Sequence, residues 1–204
     1  MSAIFLHVSA IVTPSVSNRY VKCQQSYAKY QQLWADGRCP VTRVIAIFNQ
    51  AGGVGKTTIT RDLGYELSRR GLRVLLADTD PQASLTEFMG LDTSTIETSM
   101  FDALVRGLPA PILEAHGVDV IPSTIDLAAA DFLLAAEIGR ELRLRQALDG
   151  VRDRYDFVLI DSPPSLGNIS LNVLVAADEI LIPVQCEIKA LRGTRHLFDT
   201  IERV

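Results

Sequence analysis

The stretch AGGVGKTT, residues 51–58, decides the fold of this chain. It follows the apolar run VIAIF at 44–48, which is typical of a buried parallel strand. It opens a segment, Lys56 to Arg70, whose apolar residues share one helical face. Glycines let backbone amides curve around phosphate oxygens, and the N-terminus of a helix favours anions. A glycine-rich turn without a ligand is the alternative, but the GKTT sequence between a strand and a helix favours a phosphate-binding loop.

This loop predicts a site for a nucleotide bound with Mg²⁺. Lys56 is expected to reach the β and γ phosphates, and the Thr57 hydroxyl is expected to ligate the metal. The predicted nucleotide-binding residues are Gly52, Gly53, Val54, Gly55, Lys56, Thr57 and Thr58.

The remaining sequence alternates strand-like and helix-like segments. Apolar runs predict strands at 73–77, 118–121, 157–160 and 180–184, and helical patterns cover 126–138, 140–152, 168–177 and 190–203. Residues 84–115 read as short helices and loops. This order predicts an α/β fold of three layers, with a parallel sheet flanked by helices on both faces.

Three aspartates follow apolar strands and should gather at the ligand-bearing edge of such a sheet. Mg²⁺ prefers oxygen ligands, so Asp161 is predicted to hold the metal together with Thr57, and Asp78 to lie behind these ligands. Asp80 belongs to the same group. A single aspartate at a strand end is more often a cap or turn residue, but three beside a phosphate loop favour a metal site. Pro163 and Pro164 predict a stiff turn after Asp161 that senses the γ-phosphate.

Composition narrows the function classes. The chain has 204 residues, 48% of them apolar, and a formal net charge of −4. No strong overall basic charge indicates nucleic acid, although a local basic patch is compatible with these numbers. No stretch approaches the roughly 18 apolar residues of a membrane span. We expect a cytoplasmic protein with a poorly ordered extension at 1–42 and one domain at 43–204.

The phosphate loop departs from the ordinary pattern, because Gln50 occupies a position where that pattern has glycine and the extra glycines fall at 52 and 53. This arrangement resembles the deviant P-loop of the ParA/MinD family. The segments 78–82 (DTDPQ), 155–165 (YDFVLIDSPPS) and 183–187 (PVQCE) also resemble ParA. The resemblance covers 43–204, and ParA proteins continue further, so the domain is expected to be incomplete at its C-terminal end.

The resemblance implies a Mg²⁺-dependent ATPase that partitions or positions a plasmid, a chromosome region or a carboxysome. ATP is implied as the nucleotide, and Asp80 matches the residue that orients the attacking water, with Lys56 on the phosphates. It also implies an ATP-dependent homodimer, nonspecific DNA binding at the nucleoid, and a ParB-like or adaptor partner that stimulates hydrolysis, without membrane association.

One departure concerns the family's signature lysine, which is Ala51 here. In ParA proteins that lysine touches the nucleotide of the partner subunit, and the carboxysome-positioning McdA type lacks it. Lys189 is the only lysine of 43–204 outside the P-loop, and we hypothesise that it substitutes in trans. A solvated surface lysine is an equally weighted alternative.

Two other functions stay open. The loss of the lysine at position 51 also fits a catalytically weak, nucleotide-regulated binding module. A metal-cluster reductase like the nitrogenase iron protein shares this loop but needs cysteines near the nucleotide. The three cysteines Cys23, Cys39 and Cys186 are widely spaced, and only Cys186 falls in a candidate site segment.

Overall fold

The computed structural model describes residues 42–185, which form a six-stranded sheet and the helices packed on it. The strands are β1 Arg43–Ile47, β2 Val74–Asp78, β3 Leu113–Ala115, β4 Val118–Ile121, β5 Phe157–Asp161 and β6 Glu179–Leu181. The α-helices are α1 Lys56–Arg69, α2 Ser84–Phe88, α3 Met100–Val105, α4 Ala130–Leu134, α5 Arg143–Asp149 and α6 Asn168–Ala176. Short 3₁₀ helices lie at Thr93–Thr95, Ile125–Ala129, Arg140–Leu142 and Arg152–Arg154.

The sheet has the strand order β3-β4-β2-β5-β1-β6, and all neighbours except β3 and β4 run parallel. Every residue of the central strands β2 and β5 is buried, as expected for strands covered on both faces. Their register pairs Asp78 with Asp161, so two carboxylates end adjacent strands side by side.

Successive residues of β1, β2 and β5 pack alternately into two different hydrophobic cores. Ala46 of β1 joins the core that also contains residues of α3 to α6, whereas the next residue, Ile47, joins the core beneath α1 and α2. This period of two places one helical layer on each face of the sheet. Gly64 lets α1 approach β2 closely, because a Cβ atom at that position would lie 2.6 Å from the Leu76 side chain. The predicted three-layer α/β fold is confirmed.

The sheet is mixed rather than wholly parallel, because β3 pairs antiparallel with β4. The sequence-based prediction placed β3 among short helices and loops, which was wrong. The two strands are joined by His116 and Gly117, whose φ values are 54° and 77°. Two successive residues with positive φ form the tight turn that suits a two-residue hairpin. This turn is the signal that the strand prediction missed.

Several predicted helices are shorter than expected. The segment predicted as one helix at 126–138 divides into a 3₁₀ turn and the five-residue α4, and that at 140–152 contains only seven α-helical residues. Gly139, with φ of 69°, separates the two segments. Strand β6 runs only from Glu179 to Leu181 and ends two residues before Pro183, so the predicted strand at 180–184 is also shorter than expected. The predicted helix 190–203 lies outside the described residues.

Candidate functional site: a phosphate loop and paired aspartates

The phosphate loop joins the end of β1 to the start of α1. Gly53 and Gly55 have φ values of 71° and 88°, a region that other residues rarely adopt, so both positions require glycine. A Cβ atom added at Gly52, Gly53 or Gly55 would meet nothing within 4 Å, so the backbone faces open space. The 14-residue helix α1 directs its unpaired N-terminal amides towards this loop.

Lys56, the first residue of α1, is buried beneath the loop. Its Nζ donates a hydrogen bond to the Ala51 carbonyl at 3.1 Å, which holds the ammonium inside the curve of the backbone. Burial lowers the pKa of Lys56, while the nearby carboxylates of Asp161 and Asp80 act in the opposite direction. The structure therefore brings these three predicted site residues together.

Asn49 and Gln185 anchor the loop to the end of the sheet. Asn49 accepts a hydrogen bond from the Ala51 amide at 2.9 Å and donates one to the Pro183 carbonyl at 2.7 Å. The Gln185 amide lies 3.4 Å from the Gly53 carbonyl. The β1 and β6 ends thus meet at the loop, which places Pro183 and Gln185 beside the site.

Asp161 is fully buried at the end of β5, yet both of its carboxylate oxygens lack a hydrogen-bond donor within residues 42–185. Burial raises the pKa of Asp161 to about 7; the Thr57 hydroxyl opposes this shift without completing a hydrogen bond of normal geometry, and Asp78 and Asp80 add to it. Buried polar groups are normally satisfied, so an orphaned carboxylate indicates a place for a cation or a donor.

The residues at this edge fit a phosphate group bound with Mg²⁺. Thr57 and Asp161 offer a hydroxyl and a carboxylate, the oxygen ligands that Mg²⁺ takes alongside waters and substrate phosphates. In residues 42–185, no group of three or more His, Cys, Asp or Glu side chains is arranged to hold a metal unaided. A metal here would therefore depend on the phosphates for part of its coordination.

Asp78 is also fully buried, but its carboxylate is completely engaged by the protein. Its Oδ2 accepts hydrogen bonds from the Thr86 amide at 2.9 Å and the Thr86 hydroxyl at 2.7 Å, and its Oδ1 accepts one from the Asp80 amide at 3.1 Å. Burial raises its pKa to about 6, and these hydrogen bonds limit the rise. In this structure Asp78 supports the segment that carries Asp80, consistent with its predicted place behind the metal ligands.

The loop after Asp161 is tied to α4. The Asp131 carboxylate accepts a hydrogen bond from the Ile169 amide at 2.9 Å, at the N-terminus of α6, and Asn168 donates to the Asp131 carbonyl at 2.7 Å. A Cβ atom at Gly167 would lie 2.3 Å from the Asp131 carboxylate, so this contact requires glycine. Asn172, to which the sequence assigned no role, joins α6 to α5 by accepting from the Leu144 amide at 3.0 Å.

The structure brings the predicted phosphate loop and the three predicted aspartates to one edge of the sheet, and their roles stay predictions. The sequence did not reveal Thr86, Ser123 and Asp131. Each acts through a hydrogen bond to a residue distant in the chain, and no short motif marks such a partner. Lys189 and all three cysteines lie outside the described residues. Within the described part of the chain, no helix is long and apolar enough to cross a bilayer.

The family model described as "AAA domain" matches residues 42–204. The sporulation initiation inhibitor protein Soj of Bacillus subtilis is 45% identical over 166 residues, which cover 79% of this chain and 66% of Soj. The chromosome partitioning protein ParA of Caulobacter vibrioides is 44% identical over 168 residues, covering 79% of this chain and 63% of that protein. The chain spans between 52% and 66% of the length of the first curated relatives that it matches.

Solved structures with a similar fold agree with these sequence relatives. A structure described as cobyrinic acid a,c-diamide synthase from Mycobacterium smegmatis, with a bound ATP analogue and magnesium, has a TM-score of 0.78 and 41% identity. The match covers 80% of this chain and 68% of that chain. The ATP complex of a Cyanothece McdA variant has a TM-score of 0.73 and 28% identity over 79% of this chain and 65% of McdA. The family match, the sequence relatives and these structures together show that the chain belongs to the AAA domain family and is a member of the ParA-like P-loop ATPases.

Proposed function

We propose that this chain binds ATP with Mg²⁺, hydrolyses it, and uses the nucleotide cycle to partition or position a cargo. The observation that carries the proposal is the orphaned Asp161 carboxylate, which lies at the end of β5 with the Thr57 hydroxyl facing it. A bound cation would satisfy a carboxylate whose charged form is otherwise disfavoured by burial.

The chain's own residues divide the work of binding and hydrolysis. The amides of the loop 52–58 and the buried Lys56 ammonium would surround the phosphates, while Thr57 and Asp161 would hold Mg²⁺. Asp80 would orient the attacking water, supported from behind by Asp78. Mg²⁺, when bound, would supply charge stabilisation on the transferred phosphoryl group.

An ATP-dependent homodimer is part of the proposal. Three large apolar side chains, on α4, just before Gly139 and just before α6, are strongly exposed: Phe132 at 84%, Ile138 at 100% and Leu166 at 51%. The Asp131 contact with the start of α6 brings the first and last of these into one neighbourhood. Exposed apolar groups of this kind mark interaction surfaces, and their link to the loop after Asp161 supports coupling to the nucleotide.

Lys189 enters the proposal as the residue that reaches the partner subunit's nucleotide in place of the lysine missing at position 51. Support comes from Gln185, four residues earlier, which already contacts the Gly53 carbonyl. If Lys189 acts in trans, Lys189→Ala abolishes nucleotide-dependent dimers; unchanged dimers would assign it to the solvated surface.

DNA binding, a stimulating partner and the cargo also belong to the proposal. Relatives named as partitioning proteins support three parts of the proposal: nonspecific DNA binding, a ParB-like or adaptor partner, and the nucleoid as the place of action. Ala51 favours a carboxysome as the cargo, because the McdA type lacks the signature lysine. Sequence identity does not favour that cargo, since it is 45% to Soj and 28% to McdA.

Light scattering of the full-length natural protein with Mg²⁺ and a slowly hydrolysed ATP analogue tests the switch. We expect the molar mass to double, and the dimer to bind random-sequence DNA with an affinity that falls steeply with salt. A monomer that demonstrably holds nucleotide would contradict the partition cycle and favour a nucleotide-regulated binding module.

A further inference from the structure

A hydrogen-bonded chain joins the end of β4 to Asp80 through two fully buried side chains, Thr86 and Ser123. The Ser123 amide donates to the Thr86 hydroxyl oxygen at 2.9 Å, and the Thr86 hydroxyl lies 2.7 Å from Asp78 Oδ2. Since a carboxylate only accepts, the Thr86 hydroxyl proton points at Asp78. The hydrogen bonds of this series therefore all donate in one direction, from Ser123 after β4 through Thr86 to Asp78.

The two ends of this hydrogen-bonded series, Asp78 and Ser123, both contact the backbone of Asp80. Asp78 Oδ1 accepts from the Asp80 amide at 3.1 Å, and the Ser123 hydroxyl donates to the Asp80 carbonyl at 2.8 Å. The same carbonyl also accepts from the amide of Ala83 at 2.9 Å. The peptide groups that flank Asp80 are thus held by partners from two different strand ends.

Within residues 42–185 the side chain of Asp80 is held at one oxygen. Its Oδ1 accepts from the Gln82 amide at 2.9 Å, which restricts the rotation of the carboxylate. Among residues 42–185 no donor contacts Oδ2. Ala83 has φ of 53°, a left-handed conformation that a non-glycine residue adopts at a cost and that this tight turn requires. The segment 78–86 is consequently built to present one carboxylate oxygen in one orientation.

We propose that Thr86 and Ser123 are positioning residues for hydrolysis, which hold Asp80 so that its second oxygen orients the attacking water. The inference rests on the proposed ATPase function and adds to it two residues, one on α2 and one after β4. Within residues 42–185 neither residue forms a hydrogen bond to the phosphate loop, so loss of either hydroxyl should affect the chemical step rather than nucleotide binding.

Thr86→Val and Thr86→Ser in the full-length protein form the principal test. Valine keeps the shape but removes the hydroxyl, leaving the Ser123 amide without its acceptor, whereas serine keeps the hydroxyl. We expect Thr86→Val to lower kcat by about 10- to 100-fold, because a misplaced catalytic group of this kind has an effect of that order. KM and the affinity for a fluorescent ATP analogue should stay near the wild-type values, and Thr86→Ser should restore most of kcat.

Thr42→Val is the matched control. Thr42 is buried before β1, at the opposite edge of the sheet, and its hydroxyl lies 2.8 Å from the Tyr155 carbonyl and 2.9 Å from the Arg152 carbonyl. It loses comparable hydrogen bonds far from the site, so it should lower stability without lowering kcat. If Thr86→Val does not fold, Ser123→Ala removes only the bond to the Asp80 carbonyl, and the same selective loss of kcat is expected.

Hydrogen–deuterium exchange of residues 79–87 supplies a readout independent of turnover. Faster exchange in Thr86→Val, but not in Thr42→Val or Thr86→Ser, supports the positioning role. A kcat for Thr86→Val equal to that of Thr42→Val, or an equal loss in Thr86→Ser, overturns it. A wild-type protein that does not hydrolyse ATP would refute the proposed function; unchanged exchange in Thr86→Val would then refute the positioning role as well, and faster exchange would support the hydrogen-bonded chain alone.

Discussion

Asp78 and Asp161 end neighbouring strands in register and are both fully buried, but their surroundings differ completely. Three donors from Thr86 and Asp80 satisfy the Asp78 carboxylate, while within the described residues no donor satisfies Asp161. Two identical side chains at equivalent places in the sheet therefore have different roles. The first belongs to the folded framework, and the second is shaped for a ligand.

The same contrast extends along both segments. After Asp78 the chain turns tightly into α2, and the buried Asp78 and Thr86 side chains are paired with each other. Around Asp161 lie glycines with open space before them, an exposed Ala51 and a buried Gln50 amide nitrogen without a partner in residues 42–185. Unsatisfied buried groups lower stability, and they concentrate where function requires them. Unsatisfied groups near Asp161 therefore favour its side of the sheet edge as the ligand-binding side, independently of any relative.

The largest expected effect is on catalysis. Asp161→Asn removes the carboxylate proposed to hold Mg²⁺, so ATP hydrolysis should fall by about 100-fold or more, the scale of a lost electrostatic contact in a transition state. Steady-state phosphate release at saturating MgATP measures it. Near-normal turnover would show that Asp161 is not a metal ligand.

A smaller effect separates the two aspartates by its sign. Asp78→Asn places amide hydrogens against donors from Thr86 or Asp80, which should destabilise the nucleotide-free protein by roughly 1–3 kcal/mol. Asp161→Asn removes a disfavoured buried charge and should stabilise it at about pH 8. Urea unfolding without nucleotide measures both. Destabilisation of equal size by the two substitutions would show that the two carboxylates do not differ in their contribution to the fold.

The third expected effect is on the pH dependence of stability. Burial raises the folded-state pKa of Asp161 to about 7 and that of Asp78 to about 6, above the ordinary 3.8. The folded state then binds more protons than the unfolded state between about pH 4 and 7. Through these groups, nucleotide-free protein should gain stability as the pH falls from about 8 to about 5, and Asp161→Asn should flatten the upper part of that curve. A wild-type protein that loses stability as the pH falls from about 8 to about 5 would contradict both raised pKa values.

The sequence allowed much of this architecture to be predicted, for identifiable reasons. Continuous apolar runs identified the buried strands because a strand covered on both faces tolerates few polar residues. The phosphate loop was predictable because its backbone requires glycine at Gly53 and Gly55, and because a lysine follows at the start of α1.

Other features could not be predicted because they depend on contacts between distant segments. The contrast between Asp78 and Asp161 arises from Thr86, which reaches only Asp78. The hairpin at His116 was hidden because its two-residue turn is His116-Gly117, in which a residue other than glycine takes a positive φ, and such residues are uncommon there. The division of 126–152 into short helices follows from breaks that its apolar pattern does not show.

The most direct test of the central claim is the affinity for a slowly hydrolysed ATP analogue, measured by calorimetry with and without Mg²⁺, in wild type and Asp161→Asn. Mg²⁺ should strengthen binding to the wild-type protein much more than it strengthens binding to Asp161→Asn, which keeps only Thr57 and the phosphates as ligands. The same Mg²⁺ dependence in both proteins would contradict the claim that the orphaned carboxylate of Asp161 is the metal site.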